Sequence, residues 1–300
     1  AVNARGIIQN NDLDRYNFSV RNTTSMLNDK LTMDLSFMYS NVKEQNMLSQ
    51  GEYANPLVPV YLFPRGDDFS KYQYYERYDV DRNIKTQFWP LKENGLSMQN
   101  PYWITNRNMY TNKKDRFLAS GSLKYTITDW LNVSGRVKLD KETINSEKKM
   151  YASTLNVIAE NSDKGAYVQS NKNTSQIYAD AMLNINKYFY HDTWNLTASL
   201  GASLLDLDYK ELNFGGVLLT IPNLFTSNNA NVSGKLTYKN TNYHDRTNSL
   251  FGTFSLGYKG MVYVDGSLRN DWISALAGTN HSSILYPSIG ASAILTNMFT

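Results

Sequence analysis

Alternation at a period of two, held for about ten residues at a time and recurring along the whole chain, restricts the fold more than any other feature. In the clearest stretch Leu31, Met33, Leu35, Phe37 and Tyr39 share one side, and Thr32, Asp34, Ser36, Met38 and Ser40 share the other. Successive side chains of a β-strand point to opposite faces, so this spacing writes a strand with one apolar and one polar side. The same pattern places Tyr16, Phe18 and Val20 on an apolar face between Asp14 and Ser25. It recurs at Phe117–Ile127, Leu131–Leu139, Ile177–Ile185, Leu196–Leu204, Leu250–Tyr258, Val262–Leu268 and Ile284–Leu295. Nine strands are therefore expected.

The connections alternate in length. Short turns are expected at Leu27 to Lys30, at Thr128 and Asp129, in the aromatic segment after Ile185, and at Lys259 and Gly260. Long connections follow Ser40 up to about Lys114, and run from Glu142 to Thr174 and from Asp206 to Arg246. Although 19% of the residues are charged, none of the nine apolar faces carries Asp, Glu, Lys or Arg. An Arg or Lys on the lipid side at a bilayer midplane costs roughly 2–4 kcal/mol, so this exclusion suits a surface covered by hydrocarbon. The opposite faces carry Arg21, Asp34, Arg136, Lys138, Asp180, Asp265 and Arg269. Short turns at one end and long loops at the other define an antiparallel transmembrane β-barrel, whose short turns lie on the periplasmic side. A soluble carbohydrate-binding β-sandwich also alternates, but its strands are shorter and its loops are not sorted by end.

Composition narrows the function. Apolar runs such as Gly215 to Leu219 fall far short of the roughly 18 residues of a spanning helix, so any membrane crossing must use strands. Of the 22 tyrosines and 5 tryptophans, several lie beside the short turns: Trp130, Tyr188, Tyr190, Trp194 and Tyr258, with Phe189, form an expected aromatic girdle. A net charge of +3, dispersed along the chain, lacks the basic stripe of a nucleic-acid binder. With no cysteine there is no disulfide, thiolate nucleophile or cysteine-based metal site. His191, His244 and His281 have no ligand spacing, so neither metal nor cofactor is expected, and no catalytic motif is present. Asp67 and Asp68 read as solvated loop acids, and the Asn-x-Ser/Thr sequences at Asn132 and Asn195 fall inside strands. No enzyme is expected.

Four segments carry a family resemblance: VYLFPRGDDF at Val60 to Phe69, NPYWITNRN at Asn100 to Asn108, LKYTITDWLNVSGR at Leu123 to Arg136, and SLRNDWISAL with LYPSIGASAIL near the end. In order and spacing the chain resembles the barrel of SusC/RagA-type TonB-dependent transporters, the large outer-membrane importers of Bacteroidetes. The resemblance implies a 22-stranded barrel around a plug, of which residues 1–300 would be a partial barrel domain. Signal peptide, plug and the remaining strands would lie outside this stretch, since an odd strand count cannot close a bacterial barrel. It also implies uptake of oligosaccharides, peptides or other large nutrients under a SusD-like surface lipoprotein lid, with drive from the TonB complex through the N-terminal region. A passive outer-membrane pore is the alternative.

Two sets of residues are then candidates for the site. Trp89, Tyr102 and Trp103, in the longest connection, offer aromatic faces to a sugar ring or to the lid, unless they anchor the loop to itself. Asp34, Arg136, Asp180, Asp265 and Arg269 face the lumen and would hold the plug, pair with neighbouring strands, or be hydrated.

Overall fold

The computed structural model describes residues 1–46, 51–89, 98–231 and 239–298. In chain order the elements are β1 (Val2–Arg5), β2 (Asp12–Met26), β3 (Leu31–Gln45), α1 (Leu57–Tyr61), β4 (Glu76–Asp79), β5 (Ile84–Gln87), α2 (Pro101–Arg107), β6 (Asn108–Thr128), β7 (Leu131–Tyr151), β8 (Gly165–Phe189), β9 (Trp194–Val217), β10 (Lys239–Tyr258), β11 (Val262–Ile273), β12 (Ser283–Ala293) and α3 (Leu295–Met298). Ten strands make one open sheet in the order β1-β2-β3-β6-β7-β8-β9-β10-β11-β12, each antiparallel to its neighbour, while β4 and β5 form a separate hairpin. All nine expected strands are present. The tenth, β1, is a four-residue strand with every residue exposed, too short and too polar to show alternation.

Turn chemistry fixes the short end. Lys259 (φ 50°) and Gly260 (φ 66°) both sit in the left-handed region that a two-residue hairpin turn needs to match strand twist. The turn after β8 places Tyr190, His191 and Asp192 there, and the turn after β2 places Leu27, Asn28 and Asp29 there.

The register tilts the strands. One row of paired residues runs Leu31, Tyr125, Val133, Leu183, Leu200, Gly252, Leu268. It begins at the first residue of β3, beside a short turn, yet by β11 it lies six residues beyond Val262 at the same end. The climb is about one residue per strand. With a rise of ~3.3 Å per residue and a strand spacing of ~4.8 Å, strands whose turns share a plane are inclined at roughly 35° to its normal, the tilt of a barrel wall.

The apolar faces are bare. Val20 is 54% exposed, Leu200 57% and Leu268 52%, and no second layer of the chain covers them. A sandwich would bury these side chains, so that alternative fails. Conversely, every buried apolar residue among those described lies in the long loops or the strand ends beside them: Tyr72, Trp89, Met98, Trp103, Ile104, Met150, Ala152, Ala159, Ala166, Tyr167, Leu218 and Ala230.

The strands run further than alternation predicts. β7 continues to Tyr151 and β8 begins at Gly165, so the connection expected from Glu142 to Thr174 shrinks to residues 152–164. β9 likewise reaches Val217, β10 starts at Lys239, and β6 starts at Asn108 rather than near Lys114. Beyond the apolar band both faces meet water, so the period-two signal disappears while the backbone ladder carries on.

Candidate functional site

The inner face of the wall is tied together by ion pairs, most of them across neighbouring strands and one within β11. The β7–β8 register sets Arg136 opposite Asp180, and the guanidinium donates from Nε (2.8 Å) and Nη2 (2.7 Å) to one carboxylate oxygen. Asp34 accepts Arg21 Nε at 2.9 Å and Thr23 Oγ1 at 2.7 Å. Arg269 donates to Asp271 at 2.7 Å and to Ser249 at 2.8 Å. Nearer the loops, Arg116 grips Asp140 with two hydrogen bonds (2.9 and 2.6 Å), and Lys114 lies 2.7 Å from Glu142. Of the five lumen candidates, Asp34, Arg136, Asp180 and Arg269 are thus satisfied by the wall itself. Asp265 differs: it is half-buried between Ser255 and Gly290, and no ion pair among the described residues includes it.

Near the short turns of β7, β8 and β9 this face carries neutral amides. Asn184 donates to Asn132 at 3.1 Å and accepts Ser199 Oγ at 2.8 Å, and Asn195 donates to Asn186 at 3.1 Å. On the outer face at that end part of the aromatic girdle is in contact: Trp194 packs against Tyr258 (4.7 Å between centroids), Phe189 stacks on Trp194 (6.5 Å), and Lys187 Nζ lies 4.5 Å from the Trp130 ring centre.

At the opposite end three long connections merge into one cap. Trp103 is fully buried, and its indole N–H donates to Thr154 Oγ1 at 3.0 Å, joining the first connection to the second. Gln87 donates from its backbone N–H to Ser153 Oγ at 2.9 Å, and Leu155 N–H donates to Gln99 Oε1 at 3.0 Å. The third connection joins through Asn223, whose side-chain oxygen accepts Ala152 N–H at 2.7 Å, and through the Phe225 ring 4.8 Å from Tyr151.

Of the two places open to the aromatic candidates, the described residues show the loop-anchoring one. Trp89, 2% exposed, packs edge-on against Tyr72 (5.3 Å), and Tyr102, half-buried, lies 5.8 Å from Phe69. With both tryptophans inside the cap, no face of either reaches a sugar ring or a lid. They anchor the loops to one another, because a connection this long can stay ordered only by building its own apolar core.

Residues that alternation could not single out hold this core. Asn100, fully buried, caps α2 by accepting Tyr102 N–H at 2.9 Å and donates to the carbonyls of Tyr72 (2.8 Å) and Phe88 (3.1 Å). Pro101 follows it at the first helical position, where no backbone donor is needed. Asp67 and Asp68 are not merely solvated. Asp68 caps the short 3-10 turn at Phe69–Gln73, and Asp67 accepts the Tyr72 hydroxyl at 2.7 Å. The segments around Asp67 and Asn100 were visible as motifs, but their role was not.

The electrostatics of the cap are those of a folded element. Burial alone would raise the Glu76 carboxyl, but hydrogen bonds from Lys85 (2.6 Å) and Arg107 (2.9 Å) hold it below the usual carboxylate range. Burial, together with a hydrogen bond to Glu147 at 2.9 Å, pushes the Tyr167 phenol up to about 12.

Comparison with known proteins assigns this architecture. The structure of a RagAB peptide importer in an "open-open" state superposes with a TM-score of 0.69 at 15% identity, over 96% of this chain and 30% of that one. The chain shares the fold of part of that importer. The ferric-catecholate import receptor Fiu of E. coli superposes at a TM-score of 0.53 with 11% identity over 97% of this chain and 41% of that one. BauA, the ferric preacinetobactin receptor of Acinetobacter baumannii, gives 0.52 with 8% identity over 96% of this chain and 38% of that one. No family model and no curated protein matches the sequence. The chain spans about a third of the length of the RagAB chains it matches.

Proposed function

We propose that this chain is a stretch of the barrel wall, with part of its outer cap, of a TonB-dependent outer-membrane importer for peptides, oligosaccharides or other large nutrients. Residues 1–300 belong in this reading to a larger barrel that holds a plug, meets the TonB complex through its N-terminal region, and opens beneath a SusD-like surface lipoprotein. One observation carries it: a tilted sheet whose bare face is apolar for about nine residues per strand, the span of a transmembrane β-strand, while its other face is ion-paired and hydrated. The likeness to a peptide importer supports the transport class, and the merged cap supplies a rigid rim on which a lid can rest.

The part proposed for the wall is a conduit, not a reaction. Its inner surface mixes neutral Asn and Ser side chains with ion-paired charges, so a polar solute meets hydrogen-bonding groups along it. Asp265 is the wall carboxylate best placed to take a cation from a plug.

Residues 1–300 hold no cysteine, so once any cysteine elsewhere in the complete protein is replaced, each introduced thiol is the one site labelled. Single cysteines at Val20, Leu200 and Leu268 in the complete protein should report a hydrocarbon environment, and cysteines at Ser36, Ser203 and Ser267 an aqueous one. Loss of uptake on removing TonB distinguishes an importer from a passive pore; uptake that persists without TonB favours the pore.

A further inference from the structure

Lysines just above the apolar band are treated differently on the two faces of the wall. On the inner face, Lys114 pairs with Glu142 at 2.7 Å, and Arg116 pairs with Asp140 at 2.6 Å. On the outer face Lys43, Lys113 and Lys141 are exposed, and none belongs to an ion pair among the described residues. Their place follows from register and alternation. Lys43 is four residues beyond Tyr39, Lys113 four before Phe117 and Lys141 two beyond Leu139, so all three continue the apolar side of β3, β6 and β7.

The neighbouring carboxylates take their hydrogen bonds from other side chains, and none forms a contact ion pair with these lysines. Asp14, opposite Lys43, accepts from Asn3 at 2.9 Å and Arg5 at 3.2 Å. Asp115 accepts the Tyr39 hydroxyl at 2.5 Å and Asn41 at 2.8 Å, and Glu147 accepts from Lys149, Tyr167 and Gln169. Lys43 and Lys113 also stand directly opposite each other in the ladder, a like-charge pairing that costs stability and that Asp14 and Asp115, within reach of Lys43, offset in part.

We propose that Lys43, Lys113 and Lys141 bind the phosphate groups of a phosphorylated glycolipid in the outer leaflet. The inference rests on the reading above that the apolar band meets lipid. The headgroup level begins where that band ends, and a Lys near an anionic lipid surface contributes about 1 kcal/mol. A sugar-bearing headgroup is favoured over a simple phospholipid by what adjoins the lysines. Thr143, Asn173, Asn171 and Asn145 form a chain of side-chain hydrogen bonds (2.9, 2.5 and 2.5 Å) across β7 and β8. Beside it opens a depression of about 610 Å3, lined by Lys113, Asn145, Gln169, Asn171, Leu212 and Phe214. Amides beside an aromatic face suit sugar hydroxyls and ring carbons, while the lysines take the phosphates.

The test uses the complete transporter extracted from native outer membranes, as wild type, as the triple variant Lys43→Gln, Lys113→Gln, Lys141→Gln, and as an inner-face control, Lys124→Gln. Native mass spectrometry reads co-purified glycolipid, and titration with lipid A and with phosphatidylglycerol reads affinity. The triple variant should lose lipid A affinity roughly 100-fold, with the control unchanged and phosphatidylglycerol bound weakly throughout. Equal lipid A affinity in wild type and triple variant overturns the proposal, as does equal preference of the wild type for phosphatidylglycerol. A heat-dependent shift in electrophoretic mobility verifies that each variant is folded. Failure of the wild type itself to reach the outer membrane would instead overturn the barrel reading on which this rests.

Discussion

At the scale of single residues, the two faces of a strand set opposite rules for substitution. Leu200 lies mid-band on the bare face, so Leu200→Arg should destabilise the assembled barrel by about 2–4 kcal/mol, read by guanidinium unfolding from lipid vesicles. Leu205, five residues on in the same strand, lies on the inner face, and Leu205→Arg should stay within about 0.5 kcal/mol of wild type. Within the cap the logic reverts to that of a soluble core. Trp103→Ala removes the largest fully buried side chain and leaves Thr154 without its indole donor. A loss of about 3–5 kcal/mol in local stability is expected, measured as hydrogen exchange of the amides in residues 98–107.

At the scale of elements, the cap is an acid-sensitive unit. Because the Glu76 carboxyl is held below its unfolded value, its contribution is complete above about pH 4.5 and is lost as pH falls through the folded value. Limited proteolysis should therefore leave the cap intact at pH 7 and cut it within residues 51–89 near pH 3, while Glu76→Gln should flatten that dependence. Backbone fit governs the junction of β9 with the third connection: a Cβ at Gly216 would overlap the carbonyl oxygen of Asn231. Gly216→Ala should loosen residues 218–231, seen as faster amide exchange there with the band strands unchanged.

The same elements show what alternation can and cannot reveal. Leu196 to Leu204 declares itself because hydrocarbon forbids charge on one side only, whereas Gly165 to Ser175, equally extended, is polar on both sides and reads as loop. The inner-face charges were legible as a set, but their pairing was not, since register alone decides that Arg136 meets Asp180. The inward turn of Trp89 and Trp103 depends on contacts between connections far apart in sequence, which a local pattern cannot contain.

At the scale of the whole molecule, the sheet is open, with β1 and β12 as its edges, each carrying backbone groups that seek a partner strand. Residues 1–300 produced alone should therefore aggregate or pair between copies, whereas the complete barrel should run as a heat-modifiable monomer band on gels. The similarity across 96% of this chain to about a third of a RagAB chain is consistent with such a segment of wall. In the proposed barrel the absence of a closed apolar core within the sheet would have the same origin, with lipid outside and water or plug inside taking the place of a second layer.

The length of β8 has a bearing on how cargo arrives. Twelve of its 25 residues precede Ile177, where its apolar face begins, and at the wall's inclination they lift the cap roughly 30 Å clear of the bilayer's oily interior. In the importer proposed above the entrance would thus be a raised chimney, through which a bulky nutrient reaches the shaft clear of the surrounding lipids.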